Sequence, residues 1–167
     1  MIQEGTRSSA DAVAALPRLR ELLETATVAA GRAHARYSGY QVGAAILDAW
    51  GVIHAGCNVE SAAYAATICA ERGAVAAAVA GGAGDLVAIV TVTRDPDPAS
   101  CCGLCRQLLA EFGQDLLIVN GSLTSDRLRW GTVADWLPNG FSAASLEAGP
   151  TPALAPSSPR AASGTRD

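Results

Sequence analysis

The chain has 167 residues, a formal net charge of −4, 50% hydrophobic residues and 17% charged ones. That balance suits one domain with a real core and excludes wholesale disorder. No apolar run reaches the roughly 18–20 residues of a membrane-spanning helix, and the N-terminus lacks the basic start and long apolar stretch of a secretory signal.

Residues 10–35 predict a first helix, with Val13, Leu16, Leu19, Leu22, Leu23 and Val28 forming an approximate 3.6-residue stripe. Pro17 is compatible with its first turn. Tyr37–Tyr40 reads as a loop around Ser38 and Gly39, and Gln41–Asp48 and Val52–Cys57 read as the strands of a hairpin turning at Ala49–Trp50–Gly51. Asn58–Thr67 is mostly loop, and the Ala-rich, Pro-free Ile68–Ala80 is helical, ending at Gly81–Gly82. Leu86–Thr93 alternates and is rich in Val, Ile and Thr, the signature of a buried strand. After the Pro-containing loop Arg94–Ser100 come a helix over Gly103–Phe112, a strand over Leu116–Asn120, a fifth strand over Arg127–Trp130 and a helical turn over Val133–Leu137. This order predicts an α/β fold with a mixed five-stranded sheet flanked by helices. Residues 1–142 are expected to make the domain. Residues 143–167, rich in Ala, Pro, Ser and Gly, have too little to bury and are expected to be a disordered tail.

Charge narrows the partners. All basic residues are Arg, they are dispersed, and the balance is mildly acidic, which is a poor footprint for duplex or single-stranded nucleic acid. The five cysteines are Cys57, Cys69, Cys101, Cys102 and Cys105. An odd count with three packed into five residues does not resemble a secreted disulfide framework, so a soluble, cytoplasmic domain is expected.

Two helices begin at cysteines, one at Cys69-Ala70-Glu71 and the other at Cys102-Gly103-Leu104-Cys105. Structural zinc sites fill all four tetrahedral positions with protein atoms, whereas catalytic sites keep one open for water. Cys69, Cys102 and Cys105 supply three candidate ligands and leave that position free. Helix N-termini, with Arg72 and Arg106 nearby, would counter the excess charge of three thiolates. Glu71 is placed to face a water on the metal without ligating it, and can take and return a proton. A redox pair, a structural zinc knuckle or inert core cysteines are the plainer readings of the same spacing. Three cysteines with a glutamate that is not a ligand is the pattern of zinc deaminases.

From Tyr37 to Phe141 the sequence resembles the cytidine deaminase family, in its small single-domain, three-cysteine form. The resemblance rests on Tyr37-Ser38-Gly39-Tyr40-Gln41-Val42-Gly43-Ala44-Ala45, Gly56-Cys57-Asn58-Val59-Glu60, Cys69-Ala70-Glu71-Arg72, Cys102-Gly103-Leu104-Cys105-Arg106-Gln107 and a closing Leu137-Pro138-Asn139-Gly140-Phe141. It implies an α/β/α sandwich, one Zn²⁺ per subunit on Cys69, Cys102 and Cys105, and Glu71 as the proton shuttle. It further implies that Asn58 and Glu60 hold the sugar hydroxyls of a nucleoside, that the Ala70 N–H holds the ring carbonyl, and that Arg72 steadies the thiolates. Tyr40 falls where the family usually has a Phe beside the base. The small members are homotetramers that borrow residues between sites, and Phe141 is a candidate for that role.

The implied activity is hydrolytic deamination of cytidine and 2′-deoxycytidine, with release of ammonia, in pyrimidine salvage. A deaminase of another amino-pyrimidine, such as a blasticidin S-like nucleoside antibiotic, and a non-catalytic zinc protein are the alternatives. The sequence departs from the family pattern at Cys101, where Pro is usual before the paired cysteines, and at Tyr40, Ser61 and Gly73. His34 and His54 have no carboxylate or cysteine at ligand spacing and are expected to pack or face solvent. Cys57 is expected to be a small buried residue, and Trp50, Trp130 and Trp136 to serve packing.

Overall fold

The computed structural model describes Leu16 and residues 18–147. Strands Gly43–Asp48 (β1), Ile53–Cys57 (β2), Leu86–Thr93 (β3), Leu117–Ser122 (β4) and Leu128–Thr132 (β5) form one sheet in the order β2-β1-β3-β4-β5. Only β3 and β4 run parallel; β1 pairs antiparallel with both β2 and β3, and β5 pairs antiparallel with β4. Helices are Leu19–Ala30 (α1), Ala70–Ala80 (α2), Gly103–Ala110 (α3) and the single turns Val133–Trp136 (α4) and Ala144–Glu147 (α5). This is the mixed, helix-flanked five-stranded sheet that the pattern predicts.

Strand alternation divides the core in two. Ala45, Leu47, Ala88, Val90, Val92, Leu117 and Val119 pack with Leu22, Ala26 and Ala30 of α1. Ala44, Ile46, Ile89 and Ile118 point the other way, against Ala70, Ala74 and Ala78 of α2 and Cys105 and Leu109 of α3. Each fully buried Leu, Ile or Val contributes about 1.5–3 kcal/mol. Two glycines let helices lie directly on strands. A Cβ on Gly43 would come within 1.9 Å of the Ala26 carbonyl oxygen, and one on Gly56 within 2.3 Å of the Ala70 carbonyl oxygen and the Ala74 nitrogen. Gly56 therefore sets how closely β2 meets the first turn of α2.

Several boundaries differ from the sequence pattern, each for a local reason. Helix α1 starts at Leu19, after Arg18 in a left-handed conformation (φ 65°), and ends at Ala30 rather than 35. Beyond it His34 forms a parallel bridge with Val59, which needs extended backbone. Pro17 and residues 1–15 lie outside the described residues. Strand β1 begins at Gly43 rather than Gln41, and Ile68 bridges Val59 rather than opening α2. Strand β4 runs on to Ser122 and β5 to Thr132, so the far edge of the sheet is longer than expected. Trp130 and Trp136 pack against the two core clusters, but Trp50 sits exposed at the β1–β2 turn. The expected tail meets a short helix, α5, at its first residues. The remainder, 148–167, lies outside the described residues. Among the described residues no helix is long and apolar enough to cross a membrane.

Candidate active site and metal centre

Along β3 the face toward α2 changes from apolar Ile89 to Thr91 and Thr93, and along β4 from Ile118 to Asn120. The polar residues thus gather at the carboxyl ends of the two parallel strands, where open α/β sheets bind ligands. A cavity of about 220 Å³ opens there, lined by Tyr40, Val42, Asn58, Glu60, Thr67, Cys69, Ala70, Glu71, Thr91, Thr93, Ala99, Ser100 and Cys102.

The N-termini of α2 and α3 converge on it. Cys69 is the N-cap of α2 and Cys102 that of α3, both with extended backbone and without a side-chain capping bond. Cys105 lies one turn into α3 and is buried. The three sulfurs all lie within 4.8 Å of one another, with Cys69 and Cys102 3.8 Å apart and Cys102 and Cys105 3.5 Å apart. Zinc–sulfur bonds of about 2.3 Å at tetrahedral angles place sulfurs about 3.8 Å apart, so the donor set fits zinc in both chemistry and spacing.

Burial raises the Cys69 thiol pKa, and the neighbouring Cys102 and Glu71 charges add to the rise. Burial, then Glu71, also raises Cys105. Cys102 ends below the ordinary thiol value. Burial opposes its thiolate, but hydrogen bonds from the Cys105 N–H and from the Cys105 and Cys69 thiols outweigh it. Deprotonating all three therefore calls for a cation among them.

Glu71 is 5% exposed and lines the cavity with Cys69 and Cys102. Ala70 is fully buried and is the first residue of α2. First-turn amides have no partner inside their helix, so its N–H remains a donor for a ligand. Asn58 is nearly buried. Its Oδ1 accepts from the Val42 N–H at 2.9 Å and its Nδ2 donates to the Tyr40 carbonyl at 2.8 Å. Glu60 accepts from the Tyr37 N–H at 2.8 Å, the Ser38 N–H at 3.2 Å and the Ser38 hydroxyl. The Ser38 hydroxyl and then the Tyr37 amide hold its carboxyl below the usual range, so Glu60 is an anion at neutral pH.

Cys69, Cys102, Cys105, Glu71, Ala70, Asn58, Glu60 and Tyr40 are thus gathered in one place. Two residues are not. Arg72 is exposed on α2 and does not line the cavity. Phe141 is 59% exposed and also lies off it, with its carbonyl accepting from Gln107 Nε2 at 2.8 Å. Arg106 donates to the Trp136 carbonyl at 2.7 Å, so that fork of its guanidinium is spent on α4.

Two expectations about lesser residues are corrected. His54 does have a carboxylate partner, Asp48 Oδ2 at 2.9 Å. Cys57 is half-buried, because β2 is an edge strand. Cys101, the residue that replaces the family's usual Pro, is buried 3.6 Å from the Thr91 hydroxyl and 3.5 Å from Asn120 Oδ1 and is not one of the three clustered sulfurs. Thr91, Thr93 and Ser100 are cavity residues that sequence reasoning missed. The polar alternation at the end of Leu86–Thr93 was the available signal for the first two.

The sequence pattern of the cytidine and deoxycytidylate deaminase zinc-binding region matches residues 17–120. The chain belongs to this family. Its cofactor is Zn²⁺, for which Cys69, Cys102 and Cys105 form the fitting donor set. A cytidine deaminase from Sporosarcina psychrophila is 38% identical over 124 residues, covering 74% of this chain and 91% of that protein. The crystal structure of a cytidine deaminase from Burkholderia pseudomallei superposes with a TM-score of 0.70 at 37% identity, covering 74% of this chain and 98% of that one. A blasticidin-S deaminase from Bacillus cereus is more distant, 34% identical over 95 residues and covering 50% of this chain.

Proposed function

We propose that the protein is a zinc-dependent cytidine deaminase that hydrolyses cytidine and 2′-deoxycytidine to the uridine nucleosides and ammonia. The observation that carries this reading is one cavity lined by two of the clustered thiols, a buried carboxylate, and the polar pair Asn58 and Glu60. Bound zinc supplies the Lewis acidity that makes water a nucleophile at neutral pH.

Glu71 accepts the attacking water's proton and delivers it to ring N3. It then carries the proton remaining on the added oxygen to the departing amine at C4. The Ala70 N–H holds the ring carbonyl, and Asn58 and Glu60 take the sugar hydroxyls. Glu60 keeps acceptor capacity after its three contacts, since an ionised carboxylate offers about four lone-pair sites. Tyr40 forms part of the wall beside the base. Arg72, one residue beyond Glu71, steadies the thiolates, and Phe141 serves a neighbouring site in an assembly, which we take to be a homotetramer acting on nucleosides in the cytoplasm.

Loss of cytidine absorbance with stoichiometric ammonia release tests the reading. Absence of turnover on cytidine and deoxycytidine by the zinc-loaded chain sinks it. Turnover of blasticidin S in their place would assign the cavity to a larger amino-pyrimidine.

A further inference from the structure

Two loops contribute to the cavity without being part of the sheet. Residues 37–41 supply Tyr40; residues 94–100 supply Ala99 and Ser100 and lead directly into Cys101 and Cys102. Each loop is anchored separately. In the first, the Ser38 hydroxyl accepts from the Tyr40 N–H at 2.9 Å, Asn58 holds the Tyr40 carbonyl, and Glu60 holds the Tyr37 and Ser38 amides. The second is fastened to the β4–β5 connection and β5. Thr124 Oγ1 donates to the Arg94 carbonyl at 3.1 Å, Ser125 Oγ to the Pro96 carbonyl at 2.7 Å, and Arg129 Nη1 to the Pro98 carbonyl at 3.2 Å.

Between the loops run two adjacent side-chain ties. The Tyr40 hydroxyl donates to Asp95 Oδ2, and Arg94 Nη2 donates to Gln41 Oε1 at 3.0 Å. They are not equivalent. Gln41 and Arg94 line a neighbouring groove, whereas the Tyr40 side of the other tie belongs to the cavity wall. Burial, and then the Asp95 carboxylate, raise the phenol pKa, so the hydroxyl remains a donor at neutral pH. The Tyr40 ring is thereby held at both ends, by its backbone and by its oxygen.

We infer that Asp95 is a positioning residue: by accepting the Tyr40 hydroxyl's hydrogen bond it fixes that ring in the cavity wall, couples the two loops, and tunes substrate affinity rather than the chemical step. The substrate in this inference rests on the nucleoside-deaminase reading; the clasp itself does not.

The test compares Tyr40→Phe, Asp95→Ala, Asp95→Asn and the Tyr40→Phe/Asp95→Ala double variant in the zinc-loaded full chain, with cytidine as substrate. A hydrogen bond of this exposure gives about a three- to ten-fold effect. Tyr40→Phe and Asp95→Ala should each raise KM by that factor with kcat nearly unchanged. The double variant should be no worse than the poorer single one, because both remove one interaction. Asp95→Asn keeps an oxygen acceptor and should restore most of the affinity. Unchanged KM in both single variants, additive effects, or a loss confined to kcat overturns the inference. If the wild-type chain does not turn over cytidine, the functional reading has failed, and amide hydrogen exchange of the free protein still judges the clasp. Faster exchange across residues 37–41 and 94–100 in Tyr40→Phe and Asp95→Ala, but not in Asp95→Asn, supports it; unaltered exchange overturns it.

Discussion

The face of the sheet under α1 is closed and apolar, whereas the face under α2 and α3 gives way at one end to polar groups. Both are built from alternate residues of the same strands: Ala88, Val90 and Val92 look toward α1, while Ile89, Thr91 and Thr93 look the other way. The α1 face has Leu22, Val90 and Val119 at its centre, all fully buried. The opposite face holds buried Glu71, Thr93 and Asn120, and among the described residues Asn120 Nδ2 has no hydrogen-bond partner, as Trp130 Nε1 has none beside the α1-side cluster. Each such orphan costs about 1–3 kcal/mol. One side therefore supplies stability that the other uses to hold a polar, ligand-ready cavity.

Glu71→Gln tests the polar face most directly. A general acid–base residue is worth about 10²–10⁴-fold in rate, and Gln fills the same volume without carrying the proton. Turnover should fall by that factor, while zinc content and thermal midpoint hold or improve, since a buried charge is removed. Near-normal activity in this variant would remove Glu71 from the mechanism.

The α1 face predicts the reverse. Leu22→Ala should cost about 2–5 kcal/mol of stability, read by denaturant unfolding, with little change in the KM for cytidine below the transition. A KM that rises as steeply as stability falls would mean that the two faces are not separable. Gly56→Ala probes their meeting point, because its new methyl group meets the α2 backbone at the turn that bears Cys69, Ala70 and Glu71. Overpacking costs about 1–3 kcal/mol, and as β2 is an edge strand it can yield outward. Zinc retention should weaken along with stability, and a variant that unfolds more easily yet binds zinc normally would break the proposed link.

How far the sequence revealed this division depends on whether the signal was local. The thiol pairs, Glu71 and Asn58-Val59-Glu60 are short-range patterns, and the structure gathers them around one cavity. The strands and the helix-flanked mixed sheet were legible from alternation and the order of elements, whereas the strand order β2-β1-β3-β4-β5 was not. The unread features join residues distant in the chain or depend on which strand forms an edge. Tyr40 and Asp95 are 55 positions apart and meet only because β1 lies beside β3. The half-exposure of Cys57 follows from β2 having one neighbour, which no window of sequence reports. The early end of α1 reflects the His34–Val59 bridge, a tertiary pairing that overrides an apolar stripe.

The smallest expected effect lies at the other end of β1 from the cavity, and it sets the limit of the comparison. The hairpin register pairs Ile46 with His54, so Asp48 and His54 are diagonal neighbours on the α2 face. Asp48 Oδ2 meets His54 Nε2 at 2.9 Å, and Oδ1 accepts from the Trp50 and Val52 N–H groups. The His54 contact, followed by those two amides against the pull of burial, holds the Asp48 carboxyl below its usual range. A depressed carboxylate pKa stabilises the fold above the unfolded value, about 3.9, and that contribution is lost as pH falls through the folded value. Asp48→Asn keeps the turn contacts but removes the charge, so its thermal midpoint should fall less steeply than wild type below about pH 4. The KM for cytidine at neutral pH should not move. An acid limb identical to wild type would show that the pair contributes nothing to pH-dependent stability. A shifted KM would show that the α2 face transmits strain along β1, and that the polar end of this face depends on its far end as well as on α1.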